Sequence, residues 1–223
     1  MVFREIDLIR LQYPQGLFIP SDIPKIRAYL SRKFPDDILL HNHTSNGKFR
    51  YVYPEIQFKF INKRLNIVGF GMGAQILQEI FYQVDSVEIG FRLRKLPEKE
   101  IQVYRSKIGP APETYTYCFT TPWMALNQKN YHAIKKLPLK EWKPFLERIL
   151  WGNLRSLAHG FDVWLEDQDN IHVHGSFFPG HSIFKDYDVL TFTGTFKTNF
   201  YIPLGLGIGK QVARGFGTVD IVP

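Results

Sequence analysis

Short strands rich in aromatic residues alternate with short amphipathic helices along this chain, and that alternation limits its fold more than any other feature. Residues 3–13 carry apolar Phe3, Ile6, Leu8, Ile9, Leu11 and Tyr13 and predict a strand. A loop with Pro14 and Gly16 follows. Ser21 or Asp22 can cap a helix whose first turn holds Pro24, where a missing N–H costs little. Ile23, Ile26, Leu30 and Phe34 recur at helical spacing and predict its buried face, which leaves Arg27, Arg32 and Lys33 outward or along the rim. Pro35 stops the helix. Residues 48–61 alternate as a strand does, and 62–64 turn the chain back into a second strand over 65–70. Residues 73–83 predict another amphipathic helix, with Ile76, Leu77 and Ile80 on one face. Further strands are expected over 87–93 and 113–121. The first half therefore reads β-α-β-β-α-β, the ferredoxin-like order. A boundary is expected near Thr121 and Pro122, giving domains 1–121 and 122–223. The second half is also α+β: a basic helical stretch over 122–159, then strands near 161–166, 170–178, 186–202 and 217–222.

The chain has 28 Lys and Arg against 21 Asp and Glu, a net charge of +7. A surface of that sign attracts polyanions: nucleic acid, acidic membranes or acidic proteins. Hydrophobic residues make up 44% of the 223, enough for a packed core. No run of about 18 apolar residues predicts a membrane span, and the charged start, MVFREIDLIR, lacks the apolar stretch of a signal peptide. A single cysteine, Cys118, excludes an internal disulfide and agrees with a cytoplasmic setting.

Two segments carry candidate chemistry. Near the C-terminus, Gly205, Gly207, Gly209, Gly215 and Gly217 fall within thirteen residues, beside Lys210, Arg214 and Phe216. A P-loop needs Ser or Thr after its Gly-Lys, but Gln211 follows Lys210. A dinucleotide fingerprint must open a βαβ unit of about 30 residues, and too little chain follows Gly217. What remains is a glycine-rich connection between strands, either a tight ligand-free hairpin or a loop whose backbone approaches a polyanion closely, with Lys210 and Arg214 supplying charge. Near the N-terminus, Leu39-Leu40-His41-Asn42-His43 precedes Arg50-Tyr51-Val52-Tyr53-Pro54-Glu55-Ile56-Gln57. Histidine titrates near neutral pH and can both accept and donate a proton, as cleavage of RNA by its own 2′-hydroxyl requires. His41-x-His43 could instead hold a metal on one strand face, although Cys118 is remote in sequence and no acidic cluster lies nearby.

Taken together, the glycine-rich tail and the L-H-N-H segment resemble the CRISPR-associated repeat-processing endoribonucleases of the RAMP superfamily. The tail departs from their pattern by one additional glycine, and residues 100–200 match only loosely. The resemblance implies two ferredoxin-like (RRM-like) domains in tandem and a metal-independent endoribonuclease that needs no cofactor. It would cut CRISPR repeat RNA once per repeat, leaving a 2′,3′-cyclic phosphate. Carried over position by position, it implies His43 as principal general acid and base, His41 as its partner, Lys33 as electrostatic stabiliser and Tyr51 orienting the ribose. Tyr53 shares a strand face with Tyr51 and could exchange roles with it. RNA would be held by Gly205, Gly207, Gly209, Lys210, Arg214, Gly215, Phe216 and Gly217. The same resemblance allows association with a guide-RNA effector complex, and a homodimer. Two other readings stay open: a guide-RNA-binding subunit that does not cut, and a histidine-based metal enzyme. His172-Val173-His174 reads as structural or as an RNA contact. Of Phe177, Phe178, Phe192, Phe196 and Phe200, most are expected to fill the second core rather than stack bases.

Overall fold

A computed structural model describes residues 3–41, 52–166 and 170–222. The chain divides into two compact units. The N-terminal unit comprises Ile6–Ser106 together with Ala213–Gly215 from the glycine-rich tail. The C-terminal unit comprises Lys107–Val212, Phe216–Pro223 and the first residues of the chain.

The N-terminal unit runs β1 (Arg4–Gln12), α1 (Ile23–Lys33), a single turn α2 (Ile38–His41), β2 (Ile56–Ile61), β3 (Arg64–Phe70), α3 (Met72–Gln83), a small hairpin of β4 (Ser86–Ile89) and β5 (Arg92–Lys95), and the start of β6 (Glu100–Phe119). Its sheet order is β2-β3-β1-β6, which is the ferredoxin-like arrangement with β6 as fourth strand. The β2–β3 turn is two residues long, and Asn62 and Lys63 both take positive φ (51° and 60°), the hairpin geometry that matches strand twist. Ile23, Ile26 and Leu30 of α1 and Ile76, Leu77 and Ile80 of α3 pack on Ile9, Leu11, Ile56, Phe58, Leu65 and Ile67. Fully burying each such side chain contributes about 1.5–3 kcal/mol.

The opposite positions of those strands are buried as well. Gln57 and Lys59 on β2 and Asn66 on β3 are 0%, 0% and 2% exposed, against the half-solvated sheet that polar alternation predicts. Gln12 Nε2 donates to Asn66 Oδ1 at 3.1 Å and Asn66 Nδ2 to the Arg64 carbonyl at 3.0 Å, so the amides are satisfied in place.

The C-terminal unit continues β6 from Lys107 and adds α4 (Gln128–Ile134), α5 (Leu139–Gly160), β7 (Val173–Phe184), β8 (Tyr187–Tyr201) and β9 (Val219–Ile221). β8 pairs with β7 and β6, β9 pairs with β6, and all these pairings are antiparallel. The strand order β7-β8-β6-β9 repeats that of the first unit, with α5 in the place of its first helix. Where the second helix would stand, between β8 and β9, the chain holds residues 202–218, whose only helical turn is the 3-10 turn Val212–Arg214.

Three expectations from sequence are corrected. The units part within β6, between Ser106 and Lys107, rather than at 121/122, because the residues after Lys107 pair with β8 and β9. The stretch 87–93 is not a strand of the main sheet but spans the β4–β5 hairpin. No strand forms over 161–166: Phe161 ends α5 and Asp162 turns the chain with φ 53°. Among the described residues no helix is long and apolar enough to cross a membrane.

Burial pushes the Lys59 ammonium down to about 7. A lysine whose folded pKa lies below its unfolded value binds fewer protons folded than unfolded between the two, so stability rises with pH from about 7 towards about 10. Lys59→Met is expected to flatten that rise, read as urea midpoints across a pH series. An unchanged slope would mean that Lys59 does not produce it.

Candidate active site

Lys33 is the last residue of α1 and is exposed. Its Nζ donates to the Gln83 carbonyl at 3.0 Å, and its charge helps hold the Asp85 carboxyl below the usual range, behind the larger effect of the Lys99 hydrogen bond. Two residues earlier, Ser31 Oγ donates to the Leu40 carbonyl at 3.0 Å, and the Leu40 side chain is 2% exposed in the core. α2 is thereby fastened to the last turns of α1. His41 is the final residue of α2, so its backbone starts beside the helix that carries Lys33. The side chain of His41, together with His43 and Tyr51, lies outside the described residues.

On the far side of that segment, Tyr53 stacks on Phe70 with ring centroids 6.0 Å apart and planes at 27°. The Glu55 carbonyl accepts from Phe70 N–H at 3.1 Å, and its carboxylate accepts the Gly73 N–H at 3.2 Å in the first turn of α3. A carboxylate at a helix N-terminus is favoured by the free amides and the helix dipole. The chain entering β2 is therefore anchored at 53–56, and Tyr53 is engaged in packing.

The glycine-rich tail is fitted into the C-terminal unit. Ile208 N–H donates to the Gly217 carbonyl at 2.8 Å, Gly217 N–H to Pro122 at 2.8 Å and Lys210 N–H to Met124 at 2.9 Å. Gly205 N–H reaches the Val219 carbonyl at 3.3 Å. These amides are satisfied internally and are not presented to a ligand. Gly209 lies against Trp123, which is fully buried, stacks on Phe119 at 5.1 Å and donates its indole N–H to Asn153 Oδ1 at 3.0 Å. The Lys210 side chain is exposed, and Arg214, Gly215 and Phe216 are half-buried.

His172, just before β7, and His174, on it, are exposed with ring centroids 6.0 Å apart, and His172 Nε2 lies 3.2 Å from Thr114 Oγ1. Phe192, Phe196 and Phe200 are core residues, as expected, whereas Phe178 is 63% exposed.

Family models match both halves of the chain: one described as the Cas6b N-terminal domain over residues 4–107, one as the Cas6b C-terminal domain over 109–222. The chain belongs to the Cas6b family. The gap between the two matches coincides with the division inside β6. A crystal structure of a Cas6b superposes with a TM-score of 0.91 at 32% identity, over 98% of this chain and 100% of that one. A second structure, of a CRISPR RNA processing endoribonuclease Cas6b, gives 0.80 at 30% identity over 98% and 100%. A protein of Methanocaldococcus jannaschii described as uncharacterized is 32% identical over 148 residues, 63% of this chain and 95% of its own length. A Cas6-related protein from Pyrococcus furiosus, 15% identical with a TM-score of 0.55, shares the fold.

One residue that sequence reasoning set on the rim of this Cas6b chain is drawn inward. Arg27 is half-buried, with its guanidinium carbon 5.6 Å from the centre of the Phe58 ring. Its position four residues after Ile23 puts it at the edge of the apolar stripe of α1, which was the available signal.

Gly217 has φ 63°, and a Cβ there would sit 2.0 Å from the Ile208 carbonyl oxygen. Gly217→Ala is expected to cost about 3 kcal/mol, combining left-handed backbone strain with the steric clash. Denaturant unfolding measures it, and a loss within ordinary surface values would show that the tail does not depend on this contact.

Proposed function

We propose that this protein is an endoribonuclease that cuts CRISPR repeat RNA to release guide RNAs. The observation that carries the reading is the full-length likeness to Cas6b structures, one of which is of a CRISPR RNA processing endoribonuclease, at 30% identity and a TM-score of 0.80. The net charge of +7 supports a polyanionic substrate.

In this reading the ribose 2′-hydroxyl attacks the adjacent phosphorus. The 2′-O–P bond forms, the P–O5′ bond breaks, and the products are a 2′,3′-cyclic phosphate and a 5′-hydroxyl. His43 takes the 2′ proton or protonates the leaving oxygen, and His41 serves the complementary role. The tether of α2 to α1 supports a site in which Lys33 steadies the charge of the phosphorane. Lys33 would exchange its bond to the Gln83 carbonyl for one to the phosphate. Tyr51 orients the ribose, with Tyr53 held on Phe70. The first domain supplies this chemistry, and the glycine-rich tail supplies RNA contacts through the side chains of Lys210 and Arg214. No metal takes part.

Incubation with repeat RNA in excess EDTA tests the mechanism. Cleavage is expected to persist, and to stop on RNA with a 2′-deoxyribose at the cut while binding continues. His43→Ala is expected to lower the single-turnover rate by about 10²–10⁴ with binding intact. Undiminished cutting by a His41→Ala, His43→Ala double variant would refute the site. Binding without cutting by the native protein would leave a guide-RNA-binding subunit instead.

A further inference from the structure

We infer that Arg27 on α1 and Arg214 in the tail form a seat for one phosphate group, an anion site built into the N-terminal unit. Three observations carry it. First, Arg27 Nε is buried and has no hydrogen-bond partner among the described residues, although a buried guanidinium N–H is costly to leave unmade. Second, the guanidinium carbon lies 5.6 Å from the centre of the Phe58 ring, which supplies a face but accepts no strong hydrogen bond. Third, the tail comes to the same place. Ala213–Gly215 belongs to the N-terminal unit, and a Cβ on Gly215 would lie 3.3 Å from both Ile23 Cδ1 and the Phe58 carbonyl oxygen. Ile23 stands one helical turn before Arg27, and Phe58 is the ring beneath it. Gly215 is thus wedged between the two neighbours of Arg27, and Arg214 adjoins it.

The charges agree with this placement. Burial, and then the charge of Arg214, push the Arg27 guanidinium down to about 10. Two like charges brought together and partly stripped of water are unfavourable unless an anion stands between them. Guanidinium groups accept a phosphate through paired N–H donors, and the missing acceptor at Arg27 Nε is what an oxyanion supplies. Resting on the RNA reading above, the occupant is a phosphodiester of the bound RNA. A free phosphate ion offers the same chemistry.

Arg27→Met tests the seat, with Lys63→Gln in the β2–β3 turn as a control for lost charge. In chloride buffer without phosphate, Arg27→Met is expected to melt about 2–4 °C above the native protein, because it removes an uncompensated buried charge. Replacing chloride by inorganic phosphate at matched ionic strength should raise the melting temperature of the native protein and leave that of Arg27→Met unmoved. With a single-stranded repeat RNA, the slope of log K against log[salt] should fall by about 0.7 in Arg27→Met, one phosphate contact, with Arg27→Lys intermediate. Lys63→Gln should match the native slope. A lower melting temperature for Arg27→Met in chloride, no response of the native protein to phosphate, or an unchanged salt slope would each overturn the seat. Native and Arg27→Met proteins that bind and cut repeat RNA alike would remove the seat and keep the endoribonuclease. A phosphate response specific to Arg27, in a protein that binds no repeat RNA, would keep the seat and remove the RNA reading.

Discussion

Gly217 turns with φ 63° directly against the Ile208 carbonyl oxygen, so close that no side chain fits between them. The two residues also share a hydrogen bond of 2.8 Å, from the Ile208 amide to the Gly217 carbonyl. Much of the C-terminal unit hangs on this closure. It folds the tail back on itself, brings Val219 to Phe119 so that β9 can pair with β6, and lets the Lys210 and Gly217 amides reach the backbone of 122–124. A ferredoxin-like unit ordinarily sets a helix between its third and fourth strands. Here a glycine-rich ribbon stands in that place and lies against Trp123, and its Ala213–Gly215 is grouped with the N-terminal unit.

The ribbon also changes what its glycines are for. Several of its amides are bonded to internal carbonyls. Glycine is required because backbone meets backbone and indole at these points. In the proposed reading the charge that an RNA would feel comes from side chains: Lys210, exposed, and Arg214, half-buried. A segment can therefore be demanded by packing and still serve recognition, because the packing determines where its few basic residues stand.

The N-terminal unit shows the same economy at its histidine segment. Ser31 holds α2 to α1 by one hydrogen bond, Leu40 is sunk into the core, and Tyr53 and Glu55 fix the far end. Residues on either side of the segment are immobilised by contacts that need no substrate. Pre-set anchors of this kind lower the entropy cost of bringing reacting groups together.

The sequence alone determined the order of elements in the first unit as far as its second long helix, because hydrophobic spacing of 3.6 and 2 records which face each element buries, as Ile23, Ile26 and Leu30 or Phe58 and Phe60 show; the fourth strand, expected over 87–93, is β6 instead. It also determined that the 202–218 segment is not a P-loop, since Gln211 stands where that motif needs Ser or Thr after Lys210. The two motifs at opposite ends of the chain were enough to indicate the family, but not the division of the units, which depends on pairing partners that β6 meets only in three dimensions. Tertiary structure alone decided that Gln57 and Lys59 are buried although alternation placed them outward, and that Arg27 is half-buried against the Phe58 ring rather than on the rim. Periodicity reports one buried face per element. A second covering layer, or a distant loop returning to the same helix, leaves no trace in local spacing, because it acts through contacts between residues far apart in the chain.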